Sequence, residues 1–192
     1  MKTSFRTYFS ALLLGTILIG TTSCGSNGGG DDPAPVDDQE LITDFTITLV
    51  PEGKGQNVSA TFSDPDGAGG AAPTVSALNL APNTTYTATI TLKDGNTDVT
   101  SEVKNKSTEH EFFYETLNTP TGPKLGENLI VTDRDLDTKG LPLGLQATIT
   151  TQASSSGTLR ITLKHQPGLK SSTSTSSVGE TDAQADFPVV IQ

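Results

Sequence analysis

The sequence predicts an all-β protein, one antiparallel β-sandwich of about nine strands behind a signal peptide and a flexible tether. Three observations lead there. Beyond Leu41, apolar residues alternate with Thr or Ser at period two, and no stretch sustains a 3.6-residue stripe. Thr and Ser supply a quarter of the 192 residues (31 Thr, 17 Ser), as expected where the outward half of each strand is Thr. A hydrophobic content of 33%, without Trp, is too thin for a helical bundle or a large α/β enzyme core, but it suits two sheets sharing one apolar layer.

The elements follow in chain order. Lys2 and Arg6 precede an apolar run from Phe9 to Ile19 that is too short to span a bilayer as a helix, and small residues Gly20-Thr-Thr-Ser23 come next. Residues 1–23 therefore read as a secretory signal peptide. Cys24 is the single Cys, so a disulfide framework and a Cys-cluster metal site are both excluded. Its position resembles the lipobox of bacterial lipoproteins, with Thr21 where that motif usually carries Leu, Val or Ile. The resemblance implies that Cys24 becomes the first mature residue and carries the lipid. Acyl chains stabilise attachment by ~0.8 kcal/mol per buried CH₂, so a multiply acylated Cys24 is a durable membrane anchor. Gly25 follows it, not the Asp that marks inner-membrane retention in enteric bacteria, which points to the outer membrane.

Residues 24–40 combine the lipidated Cys with a Gly-, Asp- and Pro-rich segment that reads as an acidic flexible tether. Residues 41–192 then read as a single sandwich domain, with two small sandwiches as the alternative. Without residues 1–23, ten Lys and Arg face 22 Asp and Glu, a net charge of −12. That balance excludes a nucleic-acid partner, whose backbone calls for clustered Lys and Arg, and a polybasic membrane patch.

Strands are predicted around Phe45–Leu49, Val58–Phe62, 74–80, Tyr86–Leu92, 110–116, 127–132, Leu145–Ile149, Leu159–Leu163 and Phe187–Ile191, divided by Gly, Pro, Asn and Asp clusters. Ser171–Ser177 reads as a mobile loop between the last strands. The segment Leu80-Ala-Pro82-Asn-Thr84-Thr-Tyr86 resembles the Leu-x-Pro-x-Thr-x-Tyr stretch of fibronectin type III domains. It implies an immunoglobulin-like sandwich with a tyrosine corner, in which the Tyr86 hydroxyl bonds back to upstream backbone.

Across the mature chain, Phe62-Ser-Asp64-Pro-Asp66-Gly, Asn83-Thr-Thr-Tyr86, Glu109-His110-Glu-Phe-Phe-Tyr114, Leu163-Lys-His165-Gln-Pro167 and Gly179-Glu180-Thr-Asp182 are similar to a family of small Bacteroidota-type cell-envelope lipoproteins. That family often carries the label "type 1 periplasmic binding fold superfamily", which implies an α/β sugar-binding architecture. The chain is too short for it and has no helical stripes. The resemblance brings no activity with it.

Catalytic constellations are thin. Gly-x-Ser-x-Gly, the P-loop and His-Glu-x-x-His are absent, only two His stand ready to activate a nucleophile, and no Trp offers a sugar-stacking platform. The expectation is a protein that is not an enzyme. The two His carry the most chemistry. Alternation places His110 on the face of Phe112 and Tyr114, and it continues the Leu159, Ile161 and Leu163 face into His165. If those strand ends meet at one pole, the pair forms a divalent metal site for zinc or copper together with a carboxylate. The candidate carboxylates are Glu109, Glu111, Glu180 and Asp182. Glu109 and Glu111 point away from His110 in a regular strand, so a bulge is required to use them. The alternative for each His is an ordinary strand-end hydrogen bond.

A calcium reading arises at Asp133, Asp135 and Asp137, which begin like an EF-hand loop. The pattern lapses at position 6 and at Gly144, where the bidentate Glu belongs. Asp also favours turns with no metal at all. The sequence thus points first to a lipid-anchored outer-membrane accessory protein that binds another envelope protein, an outer-membrane transporter being one such partner. A zinc- or copper-binding lipoprotein using His110 and His165 is the alternative, and a calcium-binding or hydrolytic module ranks below it.

Overall fold

The alternation of apolar and Thr residues becomes two facing β-sheets in the computed structural model, which describes residues 41–67 and 69–192. Among the described residues eleven strands form. They are β1 (Asp44–Pro51), β2 (Val58–Ser63), β3 (Thr74–Val75), β4 (Leu78–Leu80), β5 (Thr85–Asp94), β6 (Thr97–Asp98), β7 (His110–Asn118), β8 (Leu129–Thr132), β9 (Gln146–Thr151), β10 (Ser155–His165) and β11 (Glu180–Ile191). Two short helices, α1 (Thr100–Asn105) and α2 (Leu125–Asn128), join them. The larger sheet runs β3-β2-β1-β5-β9-β8 with β6 paired to β5, and the smaller runs β4-β11-β10-β7.

The predicted sandwich is therefore present, and it departs from the sequence reading at identifiable places. Residues 74–80 are two strands on different sheets. Thr74–Val75 pairs with β2, whereas Leu78–Leu80 pairs with β11, so the chain turns the corner of the sandwich at Ser76-Ala77. The Ser76 hydroxyl secures this corner by accepting the Thr61 N–H at 2.7 Å. The β4–β11 pair is parallel, whereas every other strand pair among the described residues is antiparallel. β10 and β11 are also longer than the apolar alternation suggested, because Ser155–Thr158 extend the ladder of β10 and Glu180–Asp186 that of β11.

Phe45 of β1 locks the two sheets together. Its ring lies edge-on to Phe112 of β7 at 6.0 Å and tilted against Phe187 of β11 at 6.1 Å. Ile47, Ile90, Leu92, Leu159, Ile161 and Leu163 complete this layer, all at most 1% exposed. Three aromatics crossing the layer explain how a core without Trp closes. Tyr86 makes the expected corner: it is buried, and its hydroxyl accepts the Ala81 N–H at 2.9 Å. Asn83 takes the left-handed conformation (φ 51°) that the tight turn before it requires.

Helix α1 matters for position more than for mass. It buries Val103, and the turn at residues 106–109 then delivers the chain into β7 at His110. No helix among the described residues is long and apolar enough to cross a membrane. Cys24, the signal peptide and the tether lie outside the described residues.

Candidate metal centre

Antiparallel pairing of β7 with β10 sets His110 directly opposite His165, at the end of the smaller sheet. The two imidazoles stack, with ring centroids 4.8 Å apart and planes inclined by 12°. Alternation had placed both on the apolar side, and both are buried.

The third member comes from β11 by a local irregularity. Leu163 pairs with Ala183, but Lys164 pairs with Thr181, so the register skips Asp182. An extra residue of this kind re-aims a side chain. Thr181 stays on the outward side, where its hydroxyl receives the Lys164 ammonium at 2.8 Å. The Asp182 carboxylate is turned to the histidines, 1% exposed, with Oδ2 3.1 Å from His110 Nε2. One ligand atom each from His110, His165 and Asp182 falls within 4.8 Å of the others, the only such convergence of three or more His, Cys, Asp or Glu among the described residues.

The electrostatics of this trio are unusual. His110 Nδ1 lies 3.1 Å from the Lys106 carbonyl oxygen, which can only accept, so that nitrogen carries the proton. Nε2 is then left facing a carboxylate. Although the separation is that of an ion pair, the directions do not suit a hydrogen bond, and His110 Nε2 and both Asp182 oxygens lack any hydrogen-bond partner. Buried polar atoms without partners are costly, and a neutral His110 would leave two acceptors face to face, an arrangement that a cation between them satisfies. The Lys106 carbonyl fixes the tautomer and ring orientation of His110, as backbone carbonyls do behind histidines that bind metals.

Donor chemistry fits a borderline transition metal. Two imidazole nitrogens and one carboxylate suit Zn²⁺ or Cu²⁺. Ligand atoms on one tetrahedral zinc stand roughly 3.3 Å apart, given bond lengths near 2.0–2.2 Å, so His110 and Asp182 are already spaced for it. His165 is not yet aimed. A metal lies in the plane of each ligating imidazole, and nearly parallel stacked planes cannot meet at one ion, so His165 could join such an ion only with its ring rotated.

The remaining candidates separate clearly. Glu109 sits in the turn before β7, where strand alternation does not govern its direction, so no bulge is needed to aim it. Its carboxylate reaches across to His165 Nε2 at 3.7 Å, not to its neighbour His110. Glu111 points to the opposite face of β7 and binds Arg134 Nη1 at 2.9 Å. Burial pushes its carboxyl above the ordinary range, against the opposing pull of Arg134. Glu180 pairs with His165 by register but is exposed and stays outside the trio.

The calcium candidates do not converge. Asp133 accepts from the Thr132 hydroxyl, and Asp135 Oδ1 accepts the Gln146 N–H at 2.9 Å. Asp137 Oδ1 accepts the Lys139 and Leu141 N–H groups, while its Oδ2 meets the buried Lys170 ammonium at 2.9 Å. These carboxylates organise a loop, as Asp does in turns without metal. Lys170 and Arg134 escaped sequence reasoning because an isolated basic residue carries no signal of its eventual partner. The Lys106 carbonyl escaped it because any residue supplies one.

Gly179 completes the local architecture. Its φ of +76° brings the chain back beside His165, where a Cβ would overlap the His165 carbonyl oxygen. The connection from Gln166 to Gly179 is tied down by Lys170, by Gln166 Nε2 donating to the Val178 carbonyl, and by Ser176 donating to Glu115. No known family, curated protein or solved structure matches this chain.

Proposed function

We propose that this chain is a lipid-anchored cell-envelope protein that binds a divalent transition metal, zinc or copper, through His110, His165 and Asp182, and performs no catalysis. The envelope address rests on the charged start, apolar run and single Cys24 of the sequence. One observation carries the metal: His110 Nε2 and both Asp182 oxygens lie buried side by side without a hydrogen-bond partner. A bound cation satisfies all of them at once.

Titration calorimetry of the full-length chain tests this. Cys24 is replaced by Ser in every sample, so that the one thiol does not compete for metal. Zinc or copper binds one ion per chain, and His110→Ala weakens binding at least about a hundredfold, since it removes a primary ligand. No heat with either metal overturns the reading. The protein then returns to the class of interaction modules for another envelope protein, such as an outer-membrane transporter.

A further inference from the structure

We infer that Glu109 is the fourth ligand of this centre and the gate through which the ion enters and leaves. The inference rests on the metal reading above. Side-chain exposure rises in steps along the four groups: 0% for His110, 1% for Asp182, 8% for His165 and 44% for Glu109. The series runs from the interior to solvent, so only its outer end touches water. Three protein ligands leave one position of a tetrahedral ion open, and Glu109, 3.7 Å from His165 Nε2, is the neighbouring carboxylate that can fill it.

The rim is prearranged. The Glu109 N–H donates to the Lys106 carbonyl at 2.9 Å, and the Glu109 carbonyl accepts the Gln166 N–H at 2.6 Å. The backbone is thus pinned to both the 106–109 turn and the residue after His165, while the carboxylate is half exposed beside His165. Lys106 therefore supplies one carbonyl that holds both the inner ligand His110 and the rim residue Glu109.

The Glu109 carboxylate stands 3.7 Å from His165 Nε2, on the ring that has to turn to meet an ion held by His110 and Asp182. A single movement then brings both onto the metal: His165 rotates out of the stack, and Glu109 follows it. The inner pair contributes most of the affinity because it is desolvated and held in place. The rim pair sets the exchange rate because it must move. The ion is accordingly an exchangeable ligand of a preformed sandwich and does not act as a staple for folding.

The test uses Glu109→Gln in the full-length chain carrying Cys24→Ser. Glu109 is half exposed, so the variant is expected to fold, and circular dichroism checks it. Zinc affinity is measured by calorimetry, zinc release by transfer to a chromophoric chelator, and ligation by the visible absorption of the Co²⁺ form. The variant is expected to bind zinc about 10- to 100-fold more weakly, to release it faster, and to show an altered Co²⁺ spectrum. Affinity, release and spectrum all matching the parent overturn the rim ligand and leave the inner metal site standing. Weaker binding with an unchanged Co²⁺ spectrum assigns Glu109 an electrostatic role alone and overturns ligation. Absence of binding by the parent chain overturns the metal reading itself.

Discussion

At the Asp133–Asp137 loop both oxygens of Asp137 meet donors, whereas at the His110 pole neither oxygen of Asp182 does. Both carboxylates are buried, and both lie beside a nitrogen-bearing side chain about 3 Å away. In the loop the chain provides its own cation, Lys170, and two backbone N–H groups complete the shell. At the pole it provides acceptors and withholds donors. The Asp-rich motif that looked like a cation site is thus tied into its own loop, while a single Asp beside two His, without any spacing signature, is the site proposed for the metal. Satisfaction of hydrogen bonds separates the two cases where composition does not.

The largest expected effect is on stability at the loop. Asp137→Ala leaves the Lys170 ammonium buried, with the Ser107 carbonyl as its remaining acceptor at 2.7 Å. Removing one partner of a buried pair costs about 3–5 kcal/mol, read as a lower urea midpoint. Zinc affinity should be unchanged once the variant is folded. A loss below ~1 kcal/mol would contradict the structural role assigned to this pair.

Asp182→Asn breaks the comparison from the other side. In chelator at pH 8, removing an unsatisfied buried carboxylate should leave stability unchanged or raise it by about 1 kcal/mol, while zinc affinity falls by at least about tenfold. Clear destabilisation of the metal-free variant would show that Asp182 is a structural partner of His110 after all.

Acid unfolding gives the smallest effect and sharpens the contrast. Burial works to raise the Asp137 carboxyl, but hydrogen bonds from Lys170 and from the Leu141 and Lys139 amides outweigh it and hold the carboxyl below its ordinary 3.8. A depressed folded value means that the unfolded chain binds the proton first. This contribution is therefore full above about pH 4–5 and is lost as pH falls through the lower folded value. Glu111 runs oppositely: its raised carboxyl costs stability when ionised, and protonation relieves that cost as pH falls through the raised folded value. Replacing Asp137 by Asn should flatten the acid limb of the stability curve below pH 4, whereas Glu111→Gln should steepen the loss of stability with acidification. Equal slopes in parent and Asp137→Asn would remove the distinction drawn for the loop.

Much of the fold was legible because strand alternation is local. Thr-x-Thr runs at Thr46, Thr48, Thr87, Thr89 and Thr91 marked outward faces, and the interleaved Phe45, Ile47, Ala88 and Ile90 marked the core. The Tyr86 corner was legible for the same reason, since its partner Ala81 lies five residues upstream. Facing was also readable for His110 and His165, each of which continues an apolar stripe. The division of 74–80 between two sheets was not, because both halves look like strand and only pairing tells them apart.

The amino-acid sequence by itself determined an all-β chain, the faces of its strands and the short list of residues able to bind a metal. Tertiary structure decided where each of the four carboxylates stands relative to the histidines. Glu109 escapes alternation because it lies in a turn, Glu111 is taken by Arg134, Glu180 stays exposed, and Asp182 is swung inward by a bulge that exists only because β11 pairs with β10. The physical reason is range: side-chain alternation follows from consecutive backbone units, whereas register and its interruptions are set by strands that the chain brings together from distant positions.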